Sequence, residues 1–254
     1  MCGLFGVIGS GINQNDLNIF QDLLVFNAVR GWDGTGVMTA NTNTKNGNIN
    51  IHKKAYDSFW YLRTLEKKQS SNLSNISNNV FIGHTRWATV GKTNDEAAQP
   101  FEMKSFIGTH NGTIDLDWKD YNSDSEAFFQ KIEEIGPKAA VATLGDKDAF
   151  AIVSYHKPSR HVYMMRNDKR SLNFAICPDR SVLYYASELG MLKAALERHN
   201  VKPAQYWFPK PYILYEFDPK SIRDLTEKED GKLYKANLVS TEHLIDNKEP
   251  TTDV

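Results

Sequence analysis

A chain of 254 residues with 41% hydrophobic side chains can bury a large core, and its 30 basic and 31 acidic residues leave a net charge of only −1. That balance excludes a general polyanion-binding surface, so no nucleic acid partner is expected, and two cysteines exclude a disulfide framework. No apolar run approaches the roughly 20 residues that cross a bilayer, and the opening lacks the basic start and apolar stretch of a secretory signal; a soluble, cytoplasmic protein with no membrane association is expected.

In chain order, Gly3 to Ile8 is apolar and strand-like, and Gly9 to Gly11 turns into a helix with Leu17, Phe20, Leu23, Leu24 and Ala28 at helical spacing. After the glycine-rich Arg30 to Gly36, which suits a tight turn, Val37 to Ala40 reads as a strand, joined by the polar turn Asn41 to Asn50 to another. Gln69 to Asn79, nearly all Ser and Asn, reads as a surface loop because those side chains compete for backbone hydrogen bonds. Val80 to Arg86 and Ser105 to His110 read as strands, each ending in polar residues. Ser123-Asp124-Ser125-Glu126 has the form of a capping box, placing Asp124 in the first turn of a helix that Gly136-Pro137 stops. Ala149 to Tyr155, His161 to Arg166, Leu172 to Cys177 and Val182 to Ala186 follow as strands whose spacing suggests an antiparallel meander, then come a helix through Met191, Leu192, Ala195 and Leu196 and a strand at Tyr212 to Phe217. With no repeat and no linker to split it, the chain is expected to form an α+β domain over 2–225, helices packed on antiparallel sheets, and a charged appendage over 226–254.

Four segments carry chemistry that a fold alone does not require. If Met1 is removed, Cys2 becomes a thiol with a free α-amine on the same residue, and with pKa values of about 8.5 and 7.7 to 8.0 the amine can take the thiol proton near neutral pH. Alone, a Met-Cys start is an ordinary one. Arg30-Gly31-Trp32-Asp33, taken alone, reads first as an ordinary turn with an exposed ion pair. Arg86 and Trp87, directly after an apolar strand, suit recognition of a carboxylate beside a closing loop. In His110-Asn111-Gly112 the Asn amide and the glycine N–H can converge on one spot, as an oxyanion hole requires, although Asn-Gly is also a common turn.

Together, Cys2-Gly3, Arg30 to Asp33, Gly83-His84-Thr85-Arg86-Trp87-Ala88-Thr89, His110-Asn111-Gly112 and Asp124-Ser125-Glu126 resemble, in order and spacing, the class II glutamine amidotransferase domain. The central segments are closest to the aminosugar synthases. Arg166-Asn167-Asp168, Ala186-Ser187-Glu188 and Tyr212 to Phe217 look most like the glutaminase half of asparagine synthetases. The resemblance implies an N-terminal nucleophile hydrolase, a four-layer αββα sandwich of two antiparallel sheets. It further implies Cys2 as nucleophile on the side-chain amide of L-glutamine, with a thioester intermediate, and Asn111 and Gly112 as oxyanion hole. Arg86 and Asp124 would hold the substrate α-carboxylate and α-ammonium, Trp87 and Thr89 would belong to the closing loop, and Arg30, Asp33, His84 and His110 would order the residues around the site.

The aminosugar synthases carry a His where this chain has Val90, so a closure signal through that His is not expected here. A chain this short leaves no room for a synthase domain, so ammonia is expected to pass to a synthase subunit in trans, or the protein to act as a free-standing glutaminase. Two other readings stand beside this one: a hydrolase of another γ-glutamyl amide or peptide, and a non-catalytic regulatory module of the same fold. No cofactor and no metal are expected, since His52, His156, His161, His199 and His243 lack ligand spacing. Cys177 reads as a small buried hydrophobe, the aromatic group Tyr206, Trp207, Phe208 and Tyr212 as core and turn packing in preference to a partner-docking patch, and Glu227 to Lys232 as solvated surface.

Overall fold

The structure, a computed structural model, describes residues 1–67, 73 and 75–222. The appendage over 226–254, the run Glu227 to Lys232 and residues 69–72 and 74 of the Ser/Asn-rich loop lie outside the described residues. Among the described residues, twelve strands form two antiparallel sheets. The first contains β1 (Gly3–Gly9), β2 (Gly34–Ala40), β3 (Asn50–Lys54), β4 (Val80–Arg86), β9 (Asn173–Cys177), β10 (Val182–Ala186) and β11 (Gln205–Trp207), in the order β11-β9-β10-β1-β4-β2-β3. The second contains β5 (Phe101–Glu102), β6 (Phe106–Thr113), β7 (Ala149–His156), β8 (His161–Arg166) and β12 (Tyr215–Phe217), in the order β12-β8-β7-β6-β5.

Side-chain alternation along the strands builds the layers. In β1, Leu4 and Ile8 join Met38, Val80 and Ile82 against Ile107, Val153 and Met164 of the other sheet, forming the core between sheets. Phe5 and Val7 face the opposite way and pack with Phe20, Leu23 and Leu24 of α1 (Gln14–Phe26), Tyr61 of α2 (Ser58–Lys67) and Leu192 and Leu196 of α5 (Leu189–Arg198). The outer face of the second sheet buries Phe106, Phe150 and Ile152 under Phe128, Phe129 and Ile132 of α3 (Asp124–Ile135) and Ala140 and Val141 of α4 (Pro137–Ala142). Helices, sheet, sheet, helices: this is the expected four-layer αββα architecture.

Several local expectations are corrected. Gly34-Thr35-Gly36 belongs to β2 rather than to a turn, because it pairs with Lys53, Lys54 and residues 84–86 on its two sides. The four runs from Ala149 to Ala186 are not one meander: β7 and β8 lie in the second sheet, β9 and β10 in the first. At α3 the Ser123 hydroxyl accepts from the Glu126 N–H at 3.3 Å, but the Glu126 carboxylate accepts from the N–H of Asn122 rather than of Ser123, so only half of the capping box forms. Gly136-Pro137 ends α3 and Pro137 opens α4, as its fixed φ and missing N–H allow. The strand foreseen at Tyr212 to Phe217 begins only at Tyr215, and Gln205–Trp207 is a strand that the aromatic run concealed.

Candidate active site

The period of two that builds the core also collects the polar residues. Val80 and Ile82 point between the sheets, so His84 and Arg86, two and four residues on, lie on the same face, as Cys2 does relative to Leu4. In β6, Ile107 faces inward and Asn111 shares its side, while His110 turns toward α3, its ring 6.3 Å from that of Phe128. Gly3 pairs with Thr85, which sets Cys2 against the end of β4. There the Trp87 N–H reaches the Cys2 sulfur at 3.4 Å, and the thiol lies 3.6 Å from the Trp87 carbonyl oxygen.

The segment Arg30 to Asp33 clamps this junction. Arg30 Nε donates to the Cys2 carbonyl oxygen at 2.9 Å, and its Nη1 pairs with Glu188. Gly31 lies flat on the backbone of Arg86, where a Cβ would sit 2.4 Å from the carbonyl carbon, so a side chain has no room. The Asp33 N–H donates to the Arg86 carbonyl at 2.9 Å, and the Asp33 carboxylate accepts from the Ala88 N–H at 2.8 Å. Arg86 spans the loop beyond, donating from Nη2 to the Val90 carbonyl at 2.8 Å and from Nη1 to that of Lys92. Trp87 and Thr89 stay exposed on this loop.

His110-Asn111-Gly112 does not follow its strand as expected but lies within it, paired with Ile152, Ala151 and Phe150 of β7. Gly112 approaches β7 so closely that a Cβ would fall 1.7 Å from the Ala149 carbonyl oxygen. Asn111 is 2% exposed, and its Nδ2 has no hydrogen-bond partner among the described residues. His84 Nε2 donates to the His110 carbonyl oxygen at 3.1 Å, joining the two sheets, and burial holds the His84 imidazole down to about 3, hence neutral. Asp124, in the first turn of α3, accepts from the Ile114 N–H at 2.9 Å just past the end of β6.

Electrostatics join these pieces. Burial pushes the Cys2 thiol up from its ordinary value; the Trp87 hydrogen bond, the N-terminal amine and the Arg86 guanidinium pull the other way, and Asp124 adds to the rise. A cavity of about 350 Å³ opens beside the site, with Met1, Arg30, Asn111, Arg170, Glu188 and Phe208 on its wall. Sequence reading missed the anchors on this side. Ser187 Oγ accepts from the Leu4 N–H at 2.9 Å, and the Ser187 N–H donates to the Leu4 carbonyl at 2.8 Å, so the residues after β10 hold β1 in place. Gln99, whose Oε1 accepts from the His110 N–H at 2.6 Å, was likewise missed, because a lone Gln in a connection carries no pattern.

No protein-family model matches the chain. Its fold is that of the N-terminal nucleophile hydrolases: it superposes on the glutamine phosphoribosylpyrophosphate amidotransferase of B. subtilis with a TM-score of 0.61 at 19% identity, covering 85% of this chain and 47% of that one. A second structure, described as the allosteric regulatory enzyme of purine biosynthesis, gives a TM-score of 0.62 at 20% identity over 85% of this chain and 46% of that one. Within that class the homologues by sequence are glutamine amidotransferases, which are enzymes. The chain is 30% identical over 118 residues to the glutamine–fructose-6-phosphate aminotransferase of Mycobacterium leprae and 34% identical over 116 residues to that of Francisella tularensis. It is 35% identical over 117 residues to that of Caldanaerobacter subterraneus. Each match takes in 45% of this chain but only 17 or 18% of the relative, so the similarity spans less than a fifth of those proteins. The resemblance drawn from the motifs, to class II glutamine amidotransferases and to the aminosugar synthases among them, therefore holds. Among the described residues, no helix is long and apolar enough to cross a membrane.

Proposed function

We propose that this chain hydrolyses the side-chain amide of L-glutamine and that the ammonia passes to a synthase partner in trans, in the cytoplasm. One observation carries most of the weight: Asn111 presents a buried amide nitrogen with no partner among the described residues, on a cavity wall shared with Met1. A buried donor without an acceptor costs about 1–3 kcal/mol, and a developing oxyanion is an acceptor that would offset it. Met1 is 63% exposed and open to an aminopeptidase. Its removal gives Cys2 a free α-amine, which accepts the thiol proton as sulfur attacks the carboxamide carbon. The Asn111 amide and the Gly112 N–H steady the tetrahedral oxygen, and the amine then gives its proton to the departing ammonia. Water attacks the resulting thioester, so that glutamine and water become glutamate and ammonia, with Cys2 restored. Arg86 holds the substrate α-carboxylate and Asp124 its α-ammonium, a pairing that selects a free amino acid over a peptide-bound glutamine. The loop through Trp87 and Thr89 covers the bound substrate.

The test is glutamate release from L-glutamine by the purified chain beside Cys2→Ala, with intact mass recording the loss of Met1. Turnover is expected in the processed wild type alone. A glutamine-like electrophile is expected to label Cys2 and spare Cys177, whose 2% exposed thiol is pushed by burial up to about 11. Preference for a γ-glutamyl peptide would replace the substrate assignment, and glutamine binding that survives Cys2→Ala with no turnover in either protein would mark a binding module.

A further inference from the structure

His110 is 1% exposed and held at four points. Its N–H donates to Gln99 and its carbonyl accepts from His84, while the ring meets the Ser125 hydroxyl at Nδ1, 2.8 Å, and the Ala149 carbonyl oxygen at Nε2, 3.4 Å. A carbonyl oxygen only accepts, so Nε2 is the nitrogen that carries the proton. Burial favours the neutral ring, and in a neutral imidazole protonated at Nε2 the other nitrogen is an acceptor.

That tautomer fixes the direction of the next bond. The Ser125 hydroxyl has one proton and two acceptors in reach, His110 Nδ1 at 2.8 Å and Asp124 Oδ1 at 3.5 Å. The shorter contact takes it. Asp124 Oδ2 already accepts from the Ile114 N–H, which leaves Oδ1 the less committed oxygen toward a ligand. In the opposite tautomer Nδ1 would donate to Ser125, the serine proton would turn onto Asp124 Oδ1, and an Nε2 lone pair would face the Ala149 carbonyl.

We propose that Ser125 is a positioning residue: by giving its single proton to His110 Nδ1 it keeps Asp124 Oδ1 open to the α-ammonium group of a free amino-acid substrate. This rests on the role given to Asp124 above. The same ring lies against Gly112, where a Cβ would stand 2.6 Å from Nε2, so one imidazole supports both the oxyanion strand and the carboxylate that selects the ammonium. Without the serine hydroxyl the buried Nδ1 lone pair loses its donor, and the ring and the Asp124 carboxylate lose the side chain that stands between them and fixes their positions.

Two measurements on the full chain test this. The first is NMR of the ¹⁵N-histidine-labelled protein near neutral pH, with His110 assigned by its loss in His110→Gln. The Nε2–H tautomer is expected, with an Nδ1 resonance that moves in Ser125→Ala; an Nδ1–H tautomer overturns the proposal whether or not the protein turns over glutamine. The second is kinetic. Ser125→Ala is expected to raise KM for L-glutamine about ten-fold, the effect of one hydrogen bond, with kcat within about three-fold, and Ser125→Thr to restore KM. The des-amino analogue 4-carbamoylbutanoate, which has no ammonium group, should bind wild type and Ser125→Ala alike. A fall in kcat at unchanged KM, or equal weakening toward the analogue, overturns the positioning role. Absence of glutamate release by the processed wild type would instead overturn the glutaminase reading and leave the NMR result to decide the tautomer.

Discussion

Asn111 and Gly112 sit side by side in β6 and answer opposite physical demands. Asn111 carries a buried donor that is unpaired among the described residues, so it contributes little to stability and much to whatever completes its bonding. Asn111→Ala is expected to lower kcat for glutamine hydrolysis by about 10²–10³, the usual effect of removing one oxyanion donor. Thermal unfolding should show its melting temperature unchanged or slightly raised. Gly112 is fixed by the close approach of Ala149, so Gly112→Ala must force β6 from β7 and lose both activity and stability in the same assays. The pair was singled out in the sequence but misread as following its strand. Asn-Gly has turn chemistry, and only cross-strand pairing with Ala151 and Phe150 overrides that preference.

At the scale of elements, one short segment organises another. Arg30 to Asp33 does not touch substrate in the proposed scheme; it fixes the backbone from Arg86 to Ala88 that holds the Cys2 sulfur. Asp33→Ala removes the acceptor of the Ala88 N–H. About ten-fold in kcat/KM for glutamine is expected to be lost as the loop loses its fixed position, with about 1 kcal/mol of stability in denaturant unfolding. Asp33→Asn keeps an acceptor oxygen and should recover most of both. Alternating hydrophobicity made β1, β4 and α1 legible, because each buries one continuous face. The partner of the Glu126 carboxylate was not, since Ser-x-x-Glu spacing brings it near two backbone N–H groups and the preceding turn decides between them. Ser187 and Glu188 were invisible as anchors for a similar reason: Ser187 acts on Leu4 of β1 across 183 residues of chain and Glu188 on Arg30 across 158.

Across the whole molecule, local pattern told which side chains are buried but not which sheet buries them. The runs from Ala149 to Ala186 looked like neighbours, yet the chain leaves the second sheet after Arg166 and enters the first at Asn173, because both faces of each sheet are covered and the alternation reads the same in either. Phe174, two strands from the catalytic candidate, seals that crossing. Its ring lies 5.3 Å from Trp207 in its own sheet and 6.3 and 5.6 Å from Tyr215 and Phe217 in the other, so one side chain joins the edge strands of both layers. Removing a buried phenyl ring costs about 3–5 kcal/mol, and here the cavity would open between the sheets rather than under a helix. With Trp32, Trp60, Trp87 and Trp118 replaced by Phe so that fluorescence reports Trp207 alone, Phe174→Ala is therefore expected to lower the urea midpoint of tryptophan fluorescence and of far-UV circular dichroism by the same amount, since both sheets share the core that is lost. A fluorescence midpoint that falls alone would mean that β11 and β12 detach as a local unit and that the four layers are held together elsewhere.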